Sequence, residues 1–300
     1  MEELEFLADV ISRHAHNRHL RTEIDGLTIT ATDRPTDPRP GVSEPSLAVV
    51  VQGSKRTVLG DGIFDYASGE FLVVSLDLPL IGRVTQASPD RPFLGFSVRL
   101  DPPEIAALLL ETPAPHQGDT GGAASIAVAH AEQDLLGAAG RLVGLLDAPQ
   151  DVPVLAPLYR REILWRLLAG PPRGLVRQIG LADGNLAHIA RTVRWIRDHY
   201  RDPIRIEELA GLAGMSPSAF HRHFRTVTHL TPIQYQKAIR LQEARLALLA
   251  GQGDVAEIAH AVGYDSPSQF SREYRRLFGA PPGRDGARLR TAALEPVATP

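Results

Sequence analysis

Cysteine is absent from the 300 residues. That excludes disulfides, Cys-ligated zinc, iron–sulfur clusters and any thiol nucleophile or thiol redox sensor. A run of ~18 consecutive apolar residues, the least a membrane helix needs, occurs nowhere, and the opening Met-Glu-Glu leads into no apolar signal core. Neither export nor a membrane partner is expected, and a reducing cytoplasm suits the chain. A basic excess is missing too. The formal net charge is -3, which taken alone counts against a nucleic-acid partner. No Gly-x-Ser-x-Gly elbow, phosphate-cradling Gly-Lys-Ser loop or His-Glu-x-x-His pair is present, so the common hydrolase, nucleotide and zinc-protease motifs are lacking. Gly251-Gln252-Gly253 follows no strand-like segment and is no dinucleotide fingerprint.

What is present divides in two. The length favours two domains over one core, and 43% hydrophobic with 22% charged residues is ordinary for a globular chain. Residues 1–190 hold 16 Lys/Arg against 24 Asp/Glu, a net of -8, whereas residues 191–290 hold 16 against 10, a net of +6; Glu295 supplies the remaining -1. A basic C-terminal third is compatible with phosphate binding or with an ordinary solvated surface.

Short Val-, Leu- and Phe-rich segments at Leu47–Gln52, Arg56–Leu59, Ile63–Tyr66, Phe71–Ser75 and Phe93–Leu100 read as strands. Asp25-Gly26 and Asp61-Gly62 predict type I′ hairpins between strands, and the whole predicts a small barrel or sandwich. Helices follow. Asp101 is placed to cap a helix entered at Pro102, with apolar Ile105–Leu110 behind it. Further helices are expected over about 132–146 and 154–168. In the latter, Leu155, Leu158, Leu164 and Leu168 form a stripe that either dimerises two chains or packs on the barrel. Gly170-Pro171-Pro172-Arg173-Gly174 opens a linker.

The last hundred residues contain a repeat. Ile206, Leu209-Ala210, Gly214, Ser216-Pro217-Ser218, Phe220, Arg222 and Phe224 recur as Val255, Ile258-Ala259, Gly263, Ser266-Pro267-Ser268, Phe270, Arg272 and Tyr274. Each copy has the requirements of a helix-turn-helix: an apolar pair with a small residue, a glycine for the tight turn, a serine to cap the second helix and a proline at its first position. Phe220 and Phe224 face inward, as do Phe270 and Tyr274. The opposite faces carry Ser218, His221, Arg222 and Arg225, and Ser268, Gln269, Arg272, Arg275 and Arg276. Arginine and glutamine pair bidentately with base edges in the major groove. Two copies are too few for a stacked solenoid, although a helical hairpin that binds another protein remains the rival reading. Residues 232–250 predict a linking helix, with Tyr235, Ile239, Ala244 and Leu248 in its core face. Its 19 residues at ~1.5 Å each give a spacer of roughly 28 Å, near the ~34 Å between major-groove segments on one side of DNA.

With these pieces in place, residues 186–285 resemble the DNA-binding domain of AraC-type transcriptional regulators. The resemblance is carried by the two Ala-x3-Gly turns, Arg240-Leu241 with Ala244, Gly263-Tyr264-Asp265-Ser266-Pro267-Ser268-Gln269-Phe270 and Phe278-Gly279-Ala280-Pro281-Pro282. The N-terminal part is similar to a cupin-like sensor of that family in Pro45–Gly53 with Lys55, Leu72–Pro79, and Leu155–Leu158 with Arg161-Glu162-Ile163. The implied fold is α+β: a cupin-like β-barrel with a helical extension, then an all-α domain of two helix-turn-helix units joined by a long helix. The implied division is an N-terminal helix or tail at 1–19, a sensor and dimerisation domain at 20–170, a linker at 171–185, the DNA-binding domain at 186–285 and a tail at 286–300.

By position, the resemblance implies base readout by Ser218, His221 and Arg222 and by Ser268, Gln269 and Arg272. Ser218 is small where some members carry an aromatic, so less readout is expected there. Arg225, Arg275 and Arg276 suit phosphates, His221 is otherwise a neutral surface histidine, and Glu273 would repel phosphate if it pointed at DNA. The expected partners are double-stranded promoter DNA, a small-molecule effector, a second copy of the chain and RNA polymerase. No cofactor, metal or enzymatic activity is expected. Cupin-like barrels often hold a metal on clustered histidines, yet residues 20–115 contain no histidine. His14, His16 and His19 precede the barrel, where a solvated helix is the simpler reading than a metal site. The rival functions are a cupin-type enzyme with a DNA-targeting appendage and a nonspecific architectural DNA binder. Gln52 and Lys55 are polar but are not assigned as ligand contacts.

Overall fold

The computed structural model of the chain describes residues 2–15, 19–111, 124–181 and 185–294. Ten antiparallel strands form two facing sheets. One has the order β1-β2-β9-β4-β7-β10 and the other β3-β8-β5-β6. The strands are β1 (His19–Arg21), β2 (Leu27–Thr32), β3 (Arg39–Ser43), β4 (Ser46–Gln52), β5 (Ser54–Leu59), β6 (Gly62–Ala67), β7 (Glu70–Val74), β8 (Leu78–Gln86), β9 (Phe93–Arg99) and β10 (Ile126–His130). Alternation along the strands sorts the apolar residues between two cores. Val49, Val51, Phe71, Val73, Leu94 and Phe96 face helices on the outside of the larger sheet, and Val50, Leu72, Val74 and Phe93 fill the space between the sheets with Leu59, Leu78 and Leu80.

The helices against the larger sheet are α1 (Glu2–Ala15), α2 (Pro102–Glu111), α3 (Gln133–Gly144), α4 (Val152–Ala169) and α5 (Arg173–Gly180). Three expectations need correction here. The N-terminal helix is not a solvated appendage: Leu7, Val10, Ile11 and Ala15 are fully buried in the sensor core, because their spacing gives α1 one apolar stripe. His14 pairs with Asp147 at 2.8 Å and His19 Nδ1 meets the Thr30 hydroxyl at 2.7 Å, while His16 lies outside the described residues. The expected linker contains α5, whose Leu175 and Val176 are buried. The expected tail begins inside α12 (Pro282–Leu294), which continues the C-terminal helical region past residue 285; residues 295–300 lie outside the described part. Asp101 precedes α2 as expected, yet its Oδ1 is buried without a hydrogen-bond partner.

Both Asp-Gly hairpins form, but not as type I′ turns. That type needs positive φ at both central residues, and among the described residues only His229 is a non-glycine with positive φ. Leu59 pairs with Gly62, so the central pair of the β5–β6 turn is Gly60-Asp61, and Gly60 takes the left-handed conformation at φ +58°. In the β1–β2 turn only Gly26 does so, at φ +73°. Glycine adopts this region without the Cβ cost that aspartate bears.

The predicted stripe on α4 splits. Leu164 is buried in the sensor core with Ile163 and Leu167, whereas Leu158 is exposed alongside Val154 and Trp165.

The sensor touches the helical region through its smaller sheet and the turns beside it. Tyr235 Oη donates to the Asp77 carbonyl at 2.8 Å, the Arg197 guanidinium lies 3.0 Å from the Asp77 carboxylate, and the Ser125 hydroxyl donates to the Val227 carbonyl. At the β5–β6 tip, a Cβ on Gly60 would lie 2.3 Å from the His229 carbonyl oxygen. The Phe64 and His229 rings meet edge to face there, 6.2 Å between centroids.

Candidate nucleic-acid interface

Seven helices make the C-terminal region: α6 (Asn185–Asp198), α7 (Ile206–Leu212), α8 (Pro217–Thr228), α9 (Pro232–Ala250), α10 (Val255–Ala261), α11 (Pro267–Phe278) and α12. α7–α8 and α10–α11 are the two repeat copies, and α9 spans the 19 residues between them. The turn glycines Gly214 and Gly263 take φ of +65° and +91°. Gly263 also permits a close approach, since a Cβ there would lie 2.3 Å from the Arg201 carbonyl oxygen.

Local chemistry sets each recognition helix. Ser216 accepts from the Ala219 N–H at 3.4 Å and Ser266 from the Gln269 N–H at 3.3 Å, each followed by proline at the first helical position. The entries to α9 and α10 are closed by reciprocal capping boxes, Thr231 with Gln234 and Asp254 with Glu257. Phe220, Phe224, Phe270 and Tyr274 are fully buried. The orientation of both helices follows: Ser218, His221, Arg222 and Arg225 on α8, and Ser268, Gln269, Arg272, Arg275 and Arg276 on α11, are all exposed. The two serines differ from the rest, because their hydroxyls lie 3.4 and 2.9 Å from those of the capping Ser216 and Ser266.

Glu273 does not point at the outer face. Lys237 Nζ donates to it at 2.7 Å, Tyr264 Oη at 2.8 Å and Gln269 Nε2 at 3.2 Å. Burial opposes its charge, but these donors hold its carboxyl below the usual glutamate range. The carboxylate that would have repelled phosphate is thereby turned to scaffolding, and it fixes the Gln269 amide beside it.

The structural roles of two residues escaped the sequence reading. Arg240 on α9 donates from Nε to the Tyr200 carbonyl at 2.6 Å, from Nη1 to that of Gly263 at 2.6 Å and from Nη2 to that of Arg201 at 2.9 Å. One guanidinium thus ties the loop after α6 to the turn of the second copy, and burial lowers its pKa against the pull of Tyr264, Asp265 and other nearby groups. Asp285 on α12 is fully buried, yet accepts from Arg245 Nε, Tyr274 Oη and Arg288 Nη2, each at 2.9 Å. Burial works against that charge as well, but its donors keep the carboxyl below its usual range. The sequence singled out Arg240 only as a piece of the resemblance and Asp285 only as a domain bound, and neither names a partner.

Among the described residues there is no group of three or more His, Asp or Glu arranged to hold a metal ion, and no helix is long and apolar enough to cross a membrane.

Comparison with known proteins agrees with this architecture. The sequence model of the AraC-type transcriptional regulator N-terminus matches residues 23–175, and that of a helix-turn-helix domain matches residues 209–287. The HTH-type transcriptional activator RhaS of Salmonella typhimurium is 31% identical over 166 residues, 54% of this chain and 58% of the relative. The match thus spans little more than half the length of that curated protein. An apo form of ToxT from Vibrio cholerae superimposes with a TM-score of 0.56 at 10% identity, over 91% of this chain and 100% of that one. Wild-type ToxT bound to an unsaturated fatty acid gives 0.55 at 9% identity, over 89% and 97%. At such identity the likeness to ToxT is one of fold. With one sequence model covering just over half of its length and the other covering the repeat, this chain belongs to the AraC-type transcriptional regulators.

Proposed function

We infer that the chain is a sequence-specific DNA-binding transcriptional regulator whose N-terminal domain answers to a small molecule. The observation that carries this reading is the exposure of one polar, arginine-bearing face on each of α8 and α11, opposite aromatic residues that are fully buried. On this reading the exposed Arg222 and Arg272 contact base edges and the exposed Arg225, Arg275 and Arg276 contact phosphates. The exposed Val154, Leu158 and Trp165 on α4 support a homodimer joined through that helix. An effector that binds two arrangements of the molecule unequally would shift their populations and so change promoter affinity. A cytoplasmic setting, with promoter DNA and RNA polymerase as partners, follows from this function.

Selection of duplexes from a random library by the full-length protein is expected to return a motif of two blocks about one helical turn apart. Arg222→Ala and Arg272→Ala are each expected to lose about 1–3 kcal/mol of specific binding and to relax a different block. A selection without a motif would favour the architectural binder. Unchanged specificity in either variant would remove that arginine from the readout set.

A further inference from the structure

On α11 one exposed polar side chain is held in a set orientation by its neighbours. Gln269 and Glu273 stand four residues apart and share a helix face, and Gln269 Nε2 donates to Glu273 Oε1 at 3.2 Å. Glu273 is anchored from two further elements. Lys237 Nζ of α9 donates to the same oxygen at 2.7 Å, and Tyr264 Oη, in the turn between α10 and α11, donates to Oε2 at 2.8 Å. The Glu273 side chain is only 13% exposed, whereas Gln269 is exposed. One member of the pair is scaffold and the other faces solvent.

The chemistry of the pair decides which end of the amide goes where. An ionised carboxylate only accepts, and its donors hold the Glu273 carboxyl below the usual glutamate range despite burial. The amide must turn its nitrogen to Glu273, because its oxygen there would set acceptor against acceptor. Nitrogen and oxygen lie on opposite sides of the amide carbon. Oε1 is therefore turned away from Glu273, toward the first turn of α11, the part of a recognition helix that meets base edges. An unrestrained glutamine offers a base either an acceptor or a donor; this one is set to offer its acceptor.

That choice has a counterpart in the major groove. Each base pair shows there one amino donor, on adenine or cytosine, opposite a carbonyl oxygen on thymine or guanine. An outward amide oxygen distinguishes the strand that carries the amino group. We propose that Glu273 is a positioning residue that makes Gln269 an acceptor, so that the second copy selects a base pair whose amino group lies on one given strand. The first copy lacks this device, since the matching positions are Ala219 and His223. The proposal rests on the reading of α11 as a base-reading helix and assigns Glu273 a part in its specificity.

The test uses the full-length protein, a selection from random duplexes, and competition between duplexes that differ at one pair. Gln269→Ala, at an exposed position, identifies the pair read by Gln269 as the one whose preference it relaxes. At that pair the wild-type protein is expected to favour adenine over thymine and cytosine over guanine on the same strand, each by about fivefold or more. Glu273→Met keeps the side-chain length and removes the acceptor. It is expected to cut both ratios to about twofold or less, while the block that Arg222→Ala relaxes stays intact. Added to Gln269→Ala, it is expected to change nothing further at that pair. Opposite strand polarity in the two wild-type comparisons would overturn the proposal without any change at Glu273. Undiminished ratios in Glu273→Met, or an equal effect of Glu273→Met with and without Gln269, would overturn it as well, the latter by marking Glu273 as purely structural. A wild-type motif in which Gln269→Ala relaxes no pair defeats this proposal alone, whereas a wild-type selection without a motif defeats the DNA-reading function on which it rests.

Discussion

The two helix-turn-helix copies share a sequence pattern and differ in what stands behind them. In the first, Phe220, Phe224, Tyr235 and Ile239 belong to one apolar cluster with Leu72, Val74, Leu78 and Leu80 of the sensor. In the second, Phe270, Tyr274, Leu241 and Leu248 close a cluster of their own, sealed by the buried Asp285 and its three donors. The N-terminal domain thus shares an apolar core with the first copy alone; it meets the second through the exposed Arg288–Asp37 pair at 3.9 Å and otherwise through α9 and the Arg240 hub. A movement of the barrel acts on the angle between the two copies more readily than on the second copy itself.

The comparison is broken most severely at Asp285. Asp285→Ala leaves the half-buried Arg245 and the buried Tyr274 hydroxyl without their partner, and a loss of about 3–5 kcal/mol is expected. Hydrogen exchange is expected to place that loss in α10–α12 while the sensor strands keep their protection. Uniform loss of protection across the chain would mean that the second copy is no independent unit. A matched pair of smaller changes sharpens the contrast. Tyr274→Phe removes a hydrogen bond to a buried carboxylate and is expected to cost about 1.5–3 kcal/mol, within the second copy. Tyr235→Phe removes one to the neutral Asp77 carbonyl and is expected to cost about 1 kcal/mol, read as faster exchange in α8 and α9. If the two variants destabilised the same set of amides, the cores would be one.

The smallest effect is in pH. Asp285 and Glu273 have depressed pKa values, so their contribution is present above the ordinary carboxylate range and is lost as pH falls through the lower folded values. Asp77 has the opposite sign. Burial, against the pull of Arg197, raises its pKa, so its contribution is complete below the ordinary value and is lost as pH rises through the raised one. Carboxyl NMR titration is expected to find Asp77 above, and Asp285 and Glu273 below, the usual ~3.9–4.3. Acidification below pH ~4 is then expected to weaken the second copy before the seam at Asp77.

How much of this was legible in the sequence depends on distance along the chain. The serine caps, the prolines behind them and the aromatic pairs four residues apart act within one or two turns of helix, and they give both recognition helices and their outward faces. The apolar stripe of α1, at Leu7, Val10 and Ile11, was equally local and open to the same reading. The Arg240 hub, the Asp285 cluster and the inward turn of Glu273 join residues about 10 to 40 positions apart in the chain, at distances periodicity does not resolve. Turn type failed for a narrower reason: Asp-Gly pointed to the hairpin, but Gly60, one residue earlier, was the position that took positive φ.

The contact between Gly60 and the His229 carbonyl has a mechanical side. It bears on the C-terminal end of α8, a helix of 12 residues, while Ser218 and Arg222 ride toward the other end. Such a helix is a lever about 18 Å long. A tilt of ~10° applied at the sensor swings the far tip by roughly 3 Å, about the length of one hydrogen bond. If Arg222 reads a base as proposed, a displacement that the sheet absorbs as a small rocking of one hairpin is the difference between contact and none.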